Sequence, residues 1–141
     1  MRRDLGDGYE LDDDPARIDR DAVYAYTGTE AYWAVGRSRE RQDELIDASV
    51  RVVGLYRDGR QVGFARALDC GAAGFMYLAD VYVLEKHRGR GFGVELVREM
   101  VDNGPFADSR WMLHTRDMHR LYERFGFGAN VRAMERGAPS F

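Results

Sequence analysis

Two spacings of apolar residues alternate along this chain, and the places where one gives way to the other mark its elements. Between Phe75 and Leu84 ten residues run almost wholly apolar, whichever alternation register is read. Strands buried on both faces, as parallel strands under crossover helices are, carry that pattern, so a central strand is predicted here. From Val94 to Asn103 the spacing turns helical: Val94, Val97 and Val101 fall three and four apart, with Leu96 and Met100 widening the stripe. Asn103-Gly104-Pro105 stops that helix. Upstream, Val50–Tyr56 and Gln61–Leu68 flank Asp58-Gly59, a type I′ hairpin signal that predicts paired antiparallel strands. Downstream, Trp111–Thr115 reads as a second buried strand, Asp117–Arg124 as a helix and Phe127–Arg136 as a closing strand. At the other end, Tyr9 and Leu11 alternate against Glu10 and Asp12 as a short edge strand, and Arg17–Tyr26 reads as a first helix capped by Asp19 or Asp21. Thr29 is expected to cap a turn carrying Tyr32 and Trp33, and Ser38 to open a second helix with Leu45 and Ile46 on its core face.

This order places a parallel crossover, Phe75 to Thr115, after an antiparallel meander. The expected class is α/β: a mixed sheet with helices on both faces, in three layers. A length of 141 residues predicts one domain over 1–141. With 45% hydrophobic and 32% charged residues, the composition is that of a soluble globular protein. A net charge of -3 argues against general nucleic-acid binding, which needs a basic face. The lone Cys70 excludes an internal disulfide and a multi-cysteine metal cluster. The first fourteen residues are acidic, with no apolar core of a secretory signal, and no apolar run reaches the roughly 18 residues that span a bilayer. A cytoplasmic protein without membrane or nucleic-acid partners is expected.

Between the central strand and its helix lies Arg88-Gly89-Arg90-Gly91-Phe92-Gly93. Alternate glycines let backbone approach a ligand closely, and a helix N-terminus presents unpaired N–H groups with partial positive charge. Such a loop suits a phosphate or diphosphate, and Lys86, Arg88 and Arg90 make it a basic island in an acidic chain. The plain alternative is a glycine-rich turn with solvated arginines. The dinucleotide fingerprint fails, because its third glycine would fall at Val94, and the P-loop fails, because Gly93 is followed by Val94 and Glu95.

Arg88-x-x-Gly91-x-Gly93 after a buried strand resembles the coenzyme A diphosphate loop of the GNAT superfamily of acetyl-CoA-dependent N-acetyltransferases. Leu121-Tyr122-Glu123-Arg124-Phe125-Gly126-Phe127 resembles that superfamily's second signature, a helix carrying a tyrosine and ending in a Gly-Phe turn. The likeness runs from about Val50 to the end, whereas the first fifty residues share only element order. It implies a sheet of about six to seven strands in which the central strand and its parallel neighbour splay, with the pantetheine arm bonded to main-chain groups of Val81, Tyr82 and Val83. It further implies that Arg88, Gly89, Arg90, Gly91, Phe92 and Gly93 hold the diphosphate, and that Thr115 stands where many members have a coenzyme-contacting asparagine.

Acetyl transfer to an amine needs a neutral amine, donors for the developing oxyanion and a proton for the departing thiolate. Tyr122 matches the family's general acid; the alternative is a core tyrosine sharing a face with Met118. Asp80 is the only charge inside the ten-residue apolar strand, so it faces a cavity or has a partner. Some polyamine-type members place a carboxylate pair at these two strand positions, whereas here the first is Ala79. Asp80 is therefore read as a base or substrate anchor, or as a hydrogen-bonded structural carboxylate. Glu85 reads as a solvated loop residue. His87, His114 and His119 lack metal-ligand spacing, so no metal is expected, while His114 could relay protons through water. Tyr24, Tyr32 and Trp33 belong to the region that forms the family's acceptor lid, or else to ordinary core.

The expected activity is transfer of acetyl from acetyl-CoA to a small-molecule or peptide amine in a ternary complex, by a monomer or homodimer. The alternatives are a non-catalytic acyl-CoA sensor or regulatory protein, and a chain that binds another phosphate ligand or a protein partner through its basic loop. The acidic N-terminus is either a solvated edge or a hint of a cationic acceptor.

Overall fold

The computed structural model describes residues 1–137; the last four residues of the expected 1–141 domain lie outside the described residues. One six-stranded sheet organises the chain: β1 (Arg2–Gly6), β2 (Tyr9–Asp12), β3 (Arg51–Arg57), β4 (Arg60–Cys70), β5 (Phe75–Val83) and β6 (Trp111–Met112), paired in sequence order. The first four pairings are antiparallel, and β5 with β6 is parallel. The helices are α1 (Arg20–Thr27), α2 (Arg39–Asp47), α3 (Phe92–Val101) and α4 (His119–Glu123). None of the described helices is long and apolar enough to cross a membrane.

Local chemistry accounts for most boundaries. Asp58 and Gly59 take φ of 47° and 83°, the two left-handed positions that a type I′ turn requires. Asp7 and Gly8 repeat that geometry, with φ of 54° and 81°, so the expected edge strand is one arm of a hairpin. The Asp19 side chain accepts from the Ala22 N–H to open α1, and Ser38 accepts from the Arg41 N–H to open α2. Thr29 does not cap the turn at Tyr32: its hydroxyl donates back to the Ala25 carbonyl, one turn earlier in the chain. Helix α3 begins at Phe92, two residues ahead of the apolar stripe, because Gly91 is its N-cap.

Two strand expectations change. Only Trp111 and Met112 of the predicted 111–115 strand pair, and they are half-buried, because β6 ends the sheet and has β5 alone beside it. The closing strand over 127–136 does not form; Val131 and Met134 are 94% and 99% exposed, and a lone strand without a hydrogen-bonding neighbour gains nothing from extension.

The sheet buries both faces. Leu96, Val97 and Met100 of α3 pack on Val53, Leu55, Ala65, Ala67, Met76 and Leu78. On the opposite face Val23, Tyr26 and Ile46 pack on Val52, Phe64 and Tyr82. Within β5 the even residues Met76 and Leu78 face α3, yet Tyr82, also even, faces α1. The parity switches because Phe64 pairs with Tyr82 while Arg66 pairs with Ala79, which leaves an extra residue, Asp80, at φ 50°. Such a bulge turns the strand and re-aims its side chains. In unbroken alternation Asp80 would sit under the apolar face of α3. The bulge delivers it to the α1 side.

Candidate active site

β5 and β6 pair only at Met76–Trp111 and Tyr77–Met112, so the edge of β5 from Leu78 onward has no strand partner beside it. A cavity of about 260 Å³ occupies the gap. Ala79, Asp80 and Val81 form one wall, Leu113, Thr115 and Tyr122 the facing one, and Tyr32 and Trp33 the roof. The roof is tied to both sides. The Trp33 indole N–H donates to Asp80 Oδ1 at 2.7 Å, and the Arg116 N–H donates to the Tyr32 hydroxyl at 3.0 Å, with the Arg116 guanidinium 3.8 Å over the same ring. Tyr24, in contrast, is half-buried on α1 and is not among the cavity's walls.

Asp80 has partners, as a charge in that strand must. It is 5% exposed; Oδ2 accepts from Arg66 Nε at 2.7 Å and from Arg37 Nη1 at 2.9 Å. Burial pushes its carboxyl up, but the Arg66 and Arg37 charges, with the bonds from Arg66 and Trp33, outweigh it and hold the group below the usual range. Arg66 was legible only in part: like Asp80, it is a lone charge in an apolar stretch, Val62 to Leu68, and two opposite lone charges on neighbouring strands signal a pair. Arg37 and Tyr77, which also line the cavity, carry no such signal.

Tyr122 is 9% exposed on α4, with its ring edge-on to Phe127 at 5.8 Å. Burial, and secondarily the neighbouring Tyr32, push its phenol up to about 12. The ring is thus packed, as the core alternative expects, and the side chain also borders the gap. The Thr115 hydroxyl accepts from the Met118 N–H at 3.0 Å, closing the turn that leads into α4. His114 bonds through Nδ1 to the Tyr77 hydroxyl, and its Nε2 lies 3.0 Å from Glu135 Oε2, with His114 and Glu135 both exposed.

Beyond the C-terminal end of β5 lies the glycine loop. Gly89 and Gly91 take φ of 78° and 83°, which L side chains rarely adopt, and a Cβ at Gly89, Gly91 or Gly93 would meet no protein atom within 4 Å. The start of α3 has no side-chain cap, so no side chain takes its first amides. The loop arginines are drawn back: Arg88 donates to the Val83 carbonyl at 2.8 Å and to the Tyr26 hydroxyl at 3.2 Å, and Arg90 to the Tyr9 hydroxyl at 3.4 Å. His87 Nδ1 shares the same Tyr9 hydroxyl at 2.7 Å.

In sequence and fold the chain matches known proteins. The model of the acetyltransferase (GNAT) family matches residues 15–127, so the likeness begins well before Val50. A candidate acetyltransferase of Gibberella zeae is 27% identical, over 84% of this chain and 78% of its own. The crystal structure of a candidate GNAT acetyltransferase from Xanthomonas campestris superposes with a TM-score of 0.83 at 34% identity, over 93% of this chain and 94% of that one. A candidate acetyltransferase from Deinococcus radiodurans shares the fold, with a TM-score of 0.68 at 23% identity over 98% of each chain. On the match across most of its length and the close structural relative, the chain belongs to the GNAT family of acetyltransferases.

Proposed function

We propose that this chain is an N-acetyltransferase that binds acetyl-CoA and a primary amine together and passes the acetyl group directly between them. The observation that carries the reading is the uncapped start of α3, opened by left-handed Gly91, following a β5 whose β6-facing edge is unpaired from Leu78 onward. Acetyl-CoA would supply an acyl group activated as a thioester. Amides of Gly89 to Gly93 bind its diphosphate where no Cβ intrudes and where the helix end favours negative charge. Arg88 and Arg90, held by Val83, Tyr26 and Tyr9, shape the loop and add positive potential. Main-chain groups of Val81, Tyr82 and Val83 orient the arm along the gap, and Thr115, accepting from Met118, keeps its own O–H free to donate.

Tyr122 acts as the general acid. A phenol pushed up to about 12 stays protonated at neutral pH and so holds the proton that the departing sulfur needs. Asp80, ionised between two guanidiniums, is a weak base. It acts instead as the positioning group that fixes Arg66, Arg37 and the Trp33 roof at the acceptor end.

The test is an acetyl-CoA titration followed by thiol release with a panel of amines. Saturable binding and amine-dependent release are expected. No binding at millimolar coenzyme would reject the reading, and binding without transfer to any amine would make the chain a sensor.

A further inference from the structure

On its buried side the acceptor end of the cavity sets two guanidiniums, Arg66 and Arg37, against one carboxylate, Asp80. Arg66 is 4% exposed; its Nε bonds Asp80, while its Nη1 is enclosed with no hydrogen-bond partner. Arg37 Nη1 is shared between Asp80 Oδ2 and Gln42 Oε1, each at 2.9 Å. One carboxylate thus serves two guanidiniums, and its second oxygen is taken by Trp33. Of the other titratable groups lining the cavity, Asp117 is exposed, and His114, also exposed, is engaged by Tyr77 and Glu135. With Asp117 on the exposed rim, the inner lining is left with two guanidiniums to one carboxylate and an unsatisfied guanidinium N–H, which in a buried setting attracts an oxyanion.

Resting on the acetyl-transfer reading, we propose that the acceptor is a small primary amine that also bears one carboxylate, received by Arg66 and Arg37 while its amino group faces the coenzyme. A single carboxylate balances the second guanidinium, whereas a phosphate ester, with close to two negative charges, would overshoot it. The cavity, which the acceptor shares with the end of the coenzyme arm, is about 260 Å³, below the roughly 300–1,000 Å³ typical of drug-sized ligands, so the acceptor is small. The acidic N-terminal segment does not oppose this reading. Glu10, Asp12 and Asp13 are spent on Arg2, Arg17, Arg51 and the terminal amine, and none of them lines the cavity.

The experiment uses the full chain, first measuring acetyl-CoA binding by calorimetry. kcat/KM is then compared for matched pairs: glycine, β-alanine and γ-aminobutyrate, each against its amide and against an aminoalkyl phosphate of like length. The best acid should exceed its amide by about 10- to 100-fold, chiefly through KM. Arg66→Gln and Arg37→Gln should bring that ratio toward one. Arg66→Lys, which keeps the charge but loses the planar fork, should keep part of it, and unchanged acetyl-CoA affinity in each variant certifies the fold. Equal use of acid and amide, a preference for the phosphate, or a ratio untouched by both glutamine variants overturns the proposal while leaving the transferase reading intact. Failure to bind acetyl-CoA, or binding without transfer to any amine, overturns both.

Discussion

The two ends of the cleft are built by opposite means, although β5 supplies a wall to each. At the proposed acceptor end, Asp80, Arg66, Arg37 and Trp33 close on one another through bonds of 2.7–2.9 Å. At the proposed coenzyme end, the start of α3 is left uncapped and its loop arginines are drawn aside. Charges carried by side chains must be paired when buried, so that end comes preassembled and rigid. Backbone amides at a helix start remain hydrated without a partner, so the other end can wait for its ligand. Removing groups should therefore damage stability at the first end and binding at the second.

The largest effect is expected from Asp80→Ala, which strands Arg66 in the interior and should destabilise the fold by about 3–5 kcal/mol, read from urea unfolding at constant slope. Asp80→Asn should cost less and should separate charge from shape. The folded-state pKa of Asp80 lies below its ordinary value, so its contribution is complete above about pH 4 and is lost as pH falls through the depressed value. The stability gap between wild type and Asp80→Asn should accordingly narrow in acid, and a gap independent of pH would remove the ion pairs from the account.

Next comes Tyr122→Phe, which lies between the two ends. Its kcat should fall roughly tenfold to a thousandfold with coenzyme affinity kept, and an unchanged kcat would remove the phenol from the chemistry. Gly91→Ala forces a Cβ into the left-handed region and into the open bay, at a cost of about 1–2 kcal/mol in the loop, with weaker acetyl-CoA binding by calorimetry. If binding were unaffected while stability fell, the loop would be structural only. The smallest effect, under about 0.5 kcal/mol, is expected from Arg41→Ala, which breaks an exposed pair with Glu44 outside the cavity lining and calibrates what an ion pair is worth on the surface.

How much of this could be read beforehand follows from the range of each interaction. The strand, glycine loop and helix from Phe75 to Val101 were legible, because spacing and turn chemistry act over a few residues. The helix that carries Tyr122 was legible through its motif, and the need of Asp80 for partners through the oddness of a charge in an apolar strand. Asp80's partners were not: Arg37 stands 43 residues away, on a segment whose pattern says only that it turns. The 127–136 segment misled for the same reason, since its alternation suits a strand, but extension needs a neighbour that β6 does not provide.

Periodicity, caps and paired left-handed turn residues, all local, were enough to lay out the order of elements and the glycine-opened helix start. Where a side chain points across the sheet was settled only on folding. The extra residue in β5 reverses its parity at Asp80, a two-strand property invisible in either strand alone. That reversal takes a carboxylate out of an apolar core and sets it between two arginines. That end of the cleft thus owes its buried ion cluster to strand register, and register is decided by the whole sheet.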